Sequence, residues 1–575
     1  MRPSDPTPAL RVRELSVTYR NAAVPALKGV SVAAAPGELV VVMGATASGK
    51  STLVKSLARI VPCFQAATVV GGVEVLGQET DRLTVHDLAG TVGVIFQDFE
   101  AQLFSTNVLH EVAFAMEHLG VPGREMPARA AAALEAVGLR GFADRDPATL
   151  SGGEKQRLAI AGLLAIDPPI LLLDEPTTDL DPLGKADVLA LLGRLRGRGR
   201  TLLVAEHEVG AAALADWVVF LRAGEIVAAG RPDEILPRIE LFEACGVRPH
   251  DVARVFHALG VAGSVSWRWP QARSDDALCE AAHEDLVLAG YPRDRHDVTD
   301  PQSETPRDAG PPSLAVSHLS FAYDGRPVLE DVCVDVRSGE FIAVIGQNGS
   351  GKTTLAKHLA GLLEPSAGSV RLRGEEVRDI PPKRMAAEVG FVFQDPDLQL
   401  FSASVAEEVA FGPRNLDLAS DEVTRRTRSA IEAVGLTGRE ETDPFVLDKG
   451  DRQRLAVASV LSMSPSVLVL DEPTTGLDYR EQRSMLDLLR ALNARGMTVI
   501  IITHSPWAVA EYAARGILMQ AGRVLWDGPL RDLFRRPDLL ERAAFRVPDV
   551  TALGRRFGMS ALTVEELVDR LRQPG

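Results

Sequence analysis

A phosphate-binding pattern occurs twice in this chain, and that repetition limits what it can fold into more than any other feature. Gly44-Ala-Thr-Ala-Ser48-Gly49-Lys50-Ser51-Thr52 and Gly346-Gln-Asn-Gly-Ser350-Gly351-Lys352-Thr353-Thr354 both satisfy G-x-x-x-x-G-K-[ST]. Downstream the copies keep register. Gln97 and Gln394, Glu175 and Glu472, and His207 and His504 are each 297 residues apart. A period this long exceeds the ~20 to 50 residues of solenoid units, so a whole domain is duplicated. Lys50 to Gln97 spans 47 positions against 42 from Lys352 to Gln394, so the first copy carries five extra residues there.

Each phosphate loop has the context it requires. An apolar, β-rich run precedes it (38–43 and 340–345), and a helical pattern follows (51–60 and 353–363). The further apolar runs 170–173 and 201–205, with counterparts 467–470 and 498–502, read as buried parallel strands. The fold class is therefore α/β: two tandem P-loop NTPase domains with polar groups gathered where strands end. Past the last strand, 246–260 resembles 545–558 and 277–288 echoes 562–571, predicting a small C-terminal helical appendage on each copy. The expected division is 1–290, a Pro- and Asp-rich tether at 291–312, and 313–575.

The chemistry follows from residue types. A polyanion is bound most simply by backbone N–H groups at a helix N-terminus, with Gly44, Gly49, Gly346 and Gly351 allowing close approach. Lys50 and Lys352 are placed to reach the β and γ phosphates, and Ser51 and Thr353 to set a hydroxyl on Mg2+. Asp174 and Asp471, each at the end of an apolar run, supply a carboxylate for Mg2+ or its waters. Glu175 and Glu472, next in sequence, can polarise an attacking water. An Asp-Glu pair can also merely cap a turn, but a phosphate loop about 120 residues upstream in both copies favours the catalytic reading. His207 and His504, alone, would be ordinary surface histidines. Paired at the repeat spacing, they point to a γ-phosphate contact.

Composition excludes other classes. A net charge of -16 argues against a nucleic-acid partner. Cys63, Cys245, Cys279 and Cys333 form no Cys-x-x-Cys pair, so neither a disulfide framework nor a cysteine metal site is expected, and a reducing cytoplasm fits. No signal-peptide pattern opens the sequence and no run of about 18 apolar residues occurs, so membrane association is expected only through partners.

The order phosphate loop, Gln97, Leu150-Ser151-Gly152-Gly153-Glu-Lys-Gln-Arg157, Asp174-Glu175 and His207 resembles the ATP-binding cassette ATPases. The second half repeats it except at the signature. The resemblance implies a helical subdomain carrying the signature, ATP held between one phosphate loop and the opposite Ser151-Gly152-Gly153, and a role for Gln97 and Gln394 at Mg2+ and the γ-phosphate. It also implies that Tyr19 and Tyr323 stack on adenine, although a tyrosine in a core strand fits either position. Phe96-Gln97-Asp-Phe-Glu-Ala-Gln-Leu103-Phe104-Ser105 and Phe393-Gln394-Asp-Pro-Asp-Leu-Gln-Leu400-Phe401-Ser402 are similar to the corresponding segments of energy-coupling factor importers for vitamins and transition-metal ions. That similarity implies ATP hydrolysis at the cytoplasmic face of the membrane, a transmembrane T component docked in grooves lined by Leu103, Phe104, Leu400 and Phe401, and a separate substrate-binding S component. A tandem sugar-importer ATPase fits the Gln-Leu-Phe-Ser segments less well. A soluble translation factor would need a basic interdomain helix and two intact signatures. The second signature instead reads Leu447-Asp448-Lys449-Gly450-Asp451, without the hydroxyl or the first glycine. Variants of this kind are common in fused paralogues of the importer group; they predict two unequal sites.

Overall fold

A computed structural model of the chain describes residues 8–178, 180–261, 275–291 and 311–573. The chain divides into two compact units, Met1–Asp285 and Leu286–Gly575. Most of the predicted tether, 292–310, lies outside the described residues.

In the first unit six strands run in the spatial order Glu225–Gly230, Trp217–Arg222, Leu39–Met43, Thr201–Glu206, Ile170–Asp174, Val92–Ile95. All neighbours are parallel except the outermost Glu225–Gly230. Every residue of Leu39–Met43, Ile170–Asp174 and Thr201–Glu206 is buried, which is why these segments read as unbroken apolar runs rather than alternating ones. A four-stranded antiparallel sheet, ordered Leu27–Ala34, Leu10–Tyr19, Ala67–Val75, Gln78–Glu79, lies over the phosphate-loop helix Lys50–Leu57. Leu53, Val54 and Leu57 of that helix share one core with Val12, Leu15 and Val17 of the antiparallel sheet and with Val40 and Val42 of the parallel one. The helix start, and with it the phosphate loop, is thereby fixed at the end of a buried strand.

The second unit repeats both sheets. Its parallel sheet is ordered Val389–Val392, Val467–Asp471, Thr498–Ile502, Phe341–Gly346, Arg515–Gln520, Arg523–Pro529. A helical subdomain joins each: Val108–His118, Met126–Ala136 and Gly152–Ile166 in the first unit, Val405–Asn415, Ser420–Ala433 and Lys449–Leu461 in the second. The appendages are helical, with Ile239–Ala244 and Asp251–Leu259 matched by Pro537–Arg542 and Asp549–Arg556.

The phosphate-loop helices end at Leu57 and Leu359 rather than running to 60 and 363, because Arg59 (φ 61°) and Gly361 (φ 68°) turn left-handed and stop them. Part of the first copy's five-residue excess lengthens an antiparallel strand: Ala67–Val75 has 9 residues and pairs with the neighbouring strand out to Tyr19↔Ala67, whereas the counterpart Ala367–Leu372 has 6 and its pairing stops at Ser320↔Ala367. No described helix is long and apolar enough to cross a membrane.

Candidate functional site

Each phosphate loop is shaped by glycines that cannot be replaced. A β-carbon on Gly49 (φ 110°) would stand 2.7 Å from the Ala26 carbonyl, and one on Gly351 (φ 98°) would stand 2.7 Å from the Leu329 side chain. The lysines curl over their own loops. Lys50 Nζ donates to the carbonyls of Gly44 and Ala45, both at 2.9 Å, and Lys352 Nζ donates to those of Gly346 (2.9 Å) and Gln347 (2.8 Å). Two buried ammonium groups are thus held against the carbonyls of their own loops.

The acidic strand ends meet these loops. Asp174 lies close enough to Ser51, and Asp471 to Thr353, for each hydroxyl to favour the carboxylate's charge, so the two predicted metal-holding groups of each copy are neighbours. Burial pushes Asp174 up to about 6 against the opposing pull of Ser51, and burial likewise raises Asp471. Asp174 Oδ1, Asp471 Oδ1, Ser48 Oγ and Ser350 Oγ are buried without a hydrogen-bond partner among the described residues. Unmatched acceptors and hydroxyls beside a buried lysine fit a phosphate group and a divalent cation, because such groups are costly when left unpaired.

Glu175 and Glu472 follow with left-handed backbones, φ 50° and 48°, an uncommon strain for glutamate. Their surroundings differ. Glu175 is engaged through both oxygens: Oε1 lies 3.3 Å from Lys50 Nζ, while Oε2 lies 3.4 Å from His207 Nδ1 and accepts from Thr178 Oγ1 at 3.3 Å. Burial opposes its charge, but the hydrogen bond and charge of His207, with Lys50, hold it at about 2. Burial likewise opposes the charge on His207, which Glu175, Glu206 and Glu208 nevertheless raise to about 9. In the second copy His504 Nδ1 is 2.9 Å from Glu472 Oε1, and Glu472 Oε2 has no hydrogen-bond partner among the described residues.

Other predicted residues are placed less centrally. The Gln97 and Gln394 side chains are exposed just past the ends of Val92–Ile95 and Val389–Val392. Tyr19 is half-buried with its hydroxyl 3.2 Å from Thr52 Oγ1, whereas Tyr323 is 42% exposed and meets Phe321 edge-on. Thr52 and Thr354 are buried in the first turns of their helices. Ser151 caps Gly152–Ile166 in a capping box with Glu154, with Gly152 and Gly153 in the first turn. Asp448 also caps Lys449–Leu461, its Oδ1 accepting from Asp451 N at 2.8 Å, without the reciprocal bond that closes the Ser151 box. Serine and aspartate are interchangeable as helix caps, so the degenerate signature keeps its backbone geometry and alters only its chemistry.

The segments after the glutamines contain residues that sequence reading missed. Gln102 Oε1 accepts from Phe96 N (3.0 Å) and Gln399 Oε1 from Phe393 N (3.4 Å), closing each loop at its base. Buried Glu111 Oε2 accepts from Phe104 N and Ser105 N, and Glu408 Oε2 from Phe401 N and Ser402 N. Thus clamped, Phe104 (59% exposed) and Phe401 (60%) project outward, edge-on against Phe114 and Phe411 at ring distances of 4.3 and 4.8 Å. Leu400 does not join them. It is 3% exposed, packed among Val405, Val409 and Leu455, because the turn Pro396–Leu398 folds it inward; Leu103 is half-buried. The 297-residue spacing of Glu111 from Glu408 and Phe114 from Phe411 was the signal available for these partners. Glu206 had no such signal, because its counterpart is Thr503.

Sheet order, loop and buried acidic strand end together define a tandem phosphate-loop nucleoside triphosphatase. Residues 27–178 and 329–475 each match the family model described as ABC transporter. A protein of Caldanaerobacter subterraneus subsp. tengcongensis, provisionally named an ABC transporter ATP-binding protein, is 39% identical over 97% of this chain and 98% of its own length. A protein of Methanosarcina acetivorans bearing the same provisional name is 38% identical, over 99% of this chain and 94% of its own. The solved structure of cbiO1 from Clostridium perfringens, described as part of the ABC transporter complex cbiONQ, is 34% identical, covering 42% of this chain and 98% of that one with a TM-score of 0.37. The chain belongs to the ABC transporter family, as an ATPase with two ATP-binding domains.

Proposed function

We propose that this chain is the energy-coupling ATPase of an importer of the energy-coupling factor type, working at the cytoplasmic face of the membrane on separate T and S components that carry a vitamin or a transition-metal ion. The observation that carries this reading is the pair of exposed aromatic platforms, Phe104 with Phe114 and Phe401 with Phe411, each clamped a few residues after the glutamine that follows the edge strand of its parallel sheet. Large apolar side chains held outward at the same place in both units mark a partner surface rather than a core.

In this reading 291–312 tethers two cassettes that close head to tail, with ATP between each phosphate loop and the other cassette's signature. Lys50 and Lys352 bind the phosphates, Glu175 and Glu472 orient the attacking water, His207 and His504 touch the γ-phosphate, and Tyr19 and Tyr323 hold the base. Mg2+ would be held by Ser51 and Asp174 in one copy, Thr353 and Asp471 in the other, with Gln97 and Gln394 nearby, and supplies neutralisation of phosphate charge. The site completed by Ser151 and Gly152 serves Glu472; the site completed by Asp448 and Lys449 serves Glu175. Glu472's unused oxygen supports the same assignment of unequal roles.

Changing both Phe104 and Phe401 to Asp tests the proposal. The variant is expected to lose its co-purifying membrane proteins while binding ATP normally. Retention of those proteins, or co-purification of the unaltered chain with ribosomes instead, overturns it.

A further inference from the structure

Glu100 and Asp397 follow the two glutamines by three residues, in the short turns that lead to the exposed phenylalanines. Each forms an ion pair with the helix that begins at the signature. Lys155 Nζ lies 3.0 Å from Glu100 Oε1, and Arg452 Nε lies 2.8 Å from Asp397 Oδ1. Lys155 and Arg452 stand four residues after Ser151 and Asp448, one turn into Gly152–Ile166 and Lys449–Leu461. Both bases are largely covered, 20% and 22% exposed, while their acids are near half exposed.

All four positions obey the repeat spacing, yet neither the acid nor the base is the same residue in the two copies. The first copy joins a longer acid to a lysine; the second joins an acid one methylene shorter to an arginine. The change on one side offsets the change on the other, so sign and separation are both kept. A partly exposed pair contributes only about 0 to 1 kcal/mol to folding, too little to account for matched replacement of both members.

We propose that Glu100–Lys155 and Asp397–Arg452 are struts that couple the segment carrying the aromatic platform to the signature helix, so that a displacement imposed at Phe104 or Phe401 moves the first turn of that helix. These are positioning residues: none touches the phosphate loop or its acids. In the second unit the strut is reinforced, since Gln399 Nε2 donates to Ala456 O and Ser459 Oγ of the same helix, both at 3.0 Å, whereas Gln102 Nε2 donates back to Val94 O of its own strand. The inference rests on the docking reading above, because a strut matters only if the platform is moved by a partner.

The test uses the full chain with its membrane partners and compares three variants: Glu100→Lys with Asp397→Lys, Lys155→Glu with Arg452→Glu, and all four reversals together. Either acid or base reversal is expected to lower the stimulation of ATP hydrolysis by the membrane partners at least about fivefold, within the usual range of coupling between sites. The basal rate and KM for ATP of the isolated chain should stay unchanged, and the fourfold swap should restore stimulation. Placing the second copy's pair in the first, Glu100→Asp with Lys155→Arg, should leave stimulation intact. Unchanged stimulation in the reversals, or no rescue by the swap, overturns the strut. Hydrogen exchange of the isolated chain gives an answer even if no partner is retained, an outcome that defeats the docking reading alone. Reversal should speed exchange at 151–157 and 448–454 and the swap should slow it again; equal exchange in all variants overturns the proposal.

Discussion

The side chain of Lys449 lies across Gly476, so close that a β-carbon at that glycine would collide with its ammonium group. Lys449 replaces the first glycine of the signature, and Gly476 occupies the position that is Asp179 in the first half of the sequence. The altered signature and the loop after Glu472 therefore change together within one unit.

Gly476→Ala should destabilise the second unit by about 1 kcal/mol from its left-handed backbone alone (φ 72°), and by more because Lys449 must be displaced. Lys449→Ala removes the collision but not the backbone strain. A double-mutant cycle in urea should therefore be non-additive by about 0.5 kcal/mol or more, with the double variant more stable than the sum predicts. Strict additivity would show that Lys449 does not rest on Gly476.

Leu400 and Phe401 are adjacent but should respond oppositely. Leu400→Asp places a carboxylate in the core and should cost on the order of 4 kcal/mol, visible as loss of the folded second unit in thermal unfolding. Phe401→Asp should leave unfolding nearly unchanged. If both variants unfold alike, Phe401 is part of the core and not of a platform.

Hydrolysis should be divided unequally between the sites. Glu472→Gln is expected to lower turnover of the assembled transporter about 100-fold, the usual cost of removing a positioned catalytic group. Glu175→Gln should leave a readily measured fraction, because Glu175 is tied to Lys50 and His207 through both oxygens. Steady-state ATPase assays, with ATP binding measured separately, decide the matter. Equal losses, or a larger loss at Glu175, would remove the case for asymmetry.

Glu206 should make the first unit's stability depend on pH. Burial pushes its carboxyl up to about 7 from an unfolded value near 4.5, against the charge of His207 and the hydrogen bond from Thr177. Between these values the unfolded chain releases a proton that the native state keeps, so stability falls as pH rises through this window and levels off above it. The loss is on the order of 3 kcal/mol by pH 8. Glu206→Gln should gain stability relative to the unaltered protein between pH 5 and pH 8, measured by urea unfolding at both. A constant difference would mean that Glu206 does not titrate in this window.

The sequence alone determined the duplication, the parallel strands and which residues stand at the phosphate loops and strand ends, because these depend on local patterns: an all-apolar run is a strand buried on both faces, and Gly-Lys-Ser or Gly-Lys-Thr after it is a phosphate loop. Lys50, Ser51, Asp174, Glu175 and His207, with their counterparts, were legible in this way. Tertiary structure decided what depends on direction and reach. It turned Leu400 inward and Phe401 outward, a distinction that hydrophobicity cannot make between neighbours in an irregular turn. It occupied both oxygens of Glu175 while leaving one of Glu472 unused, although the two lie in the same Leu-Asp-Glu-Pro-Thr-Thr sequence, because the difference comes from side chains brought together over more than 30 residues. Glu206 shows the limit most plainly: it is one acidic residue among 78 in sequence, and only burial between strands converts it into a group that titrates near neutrality.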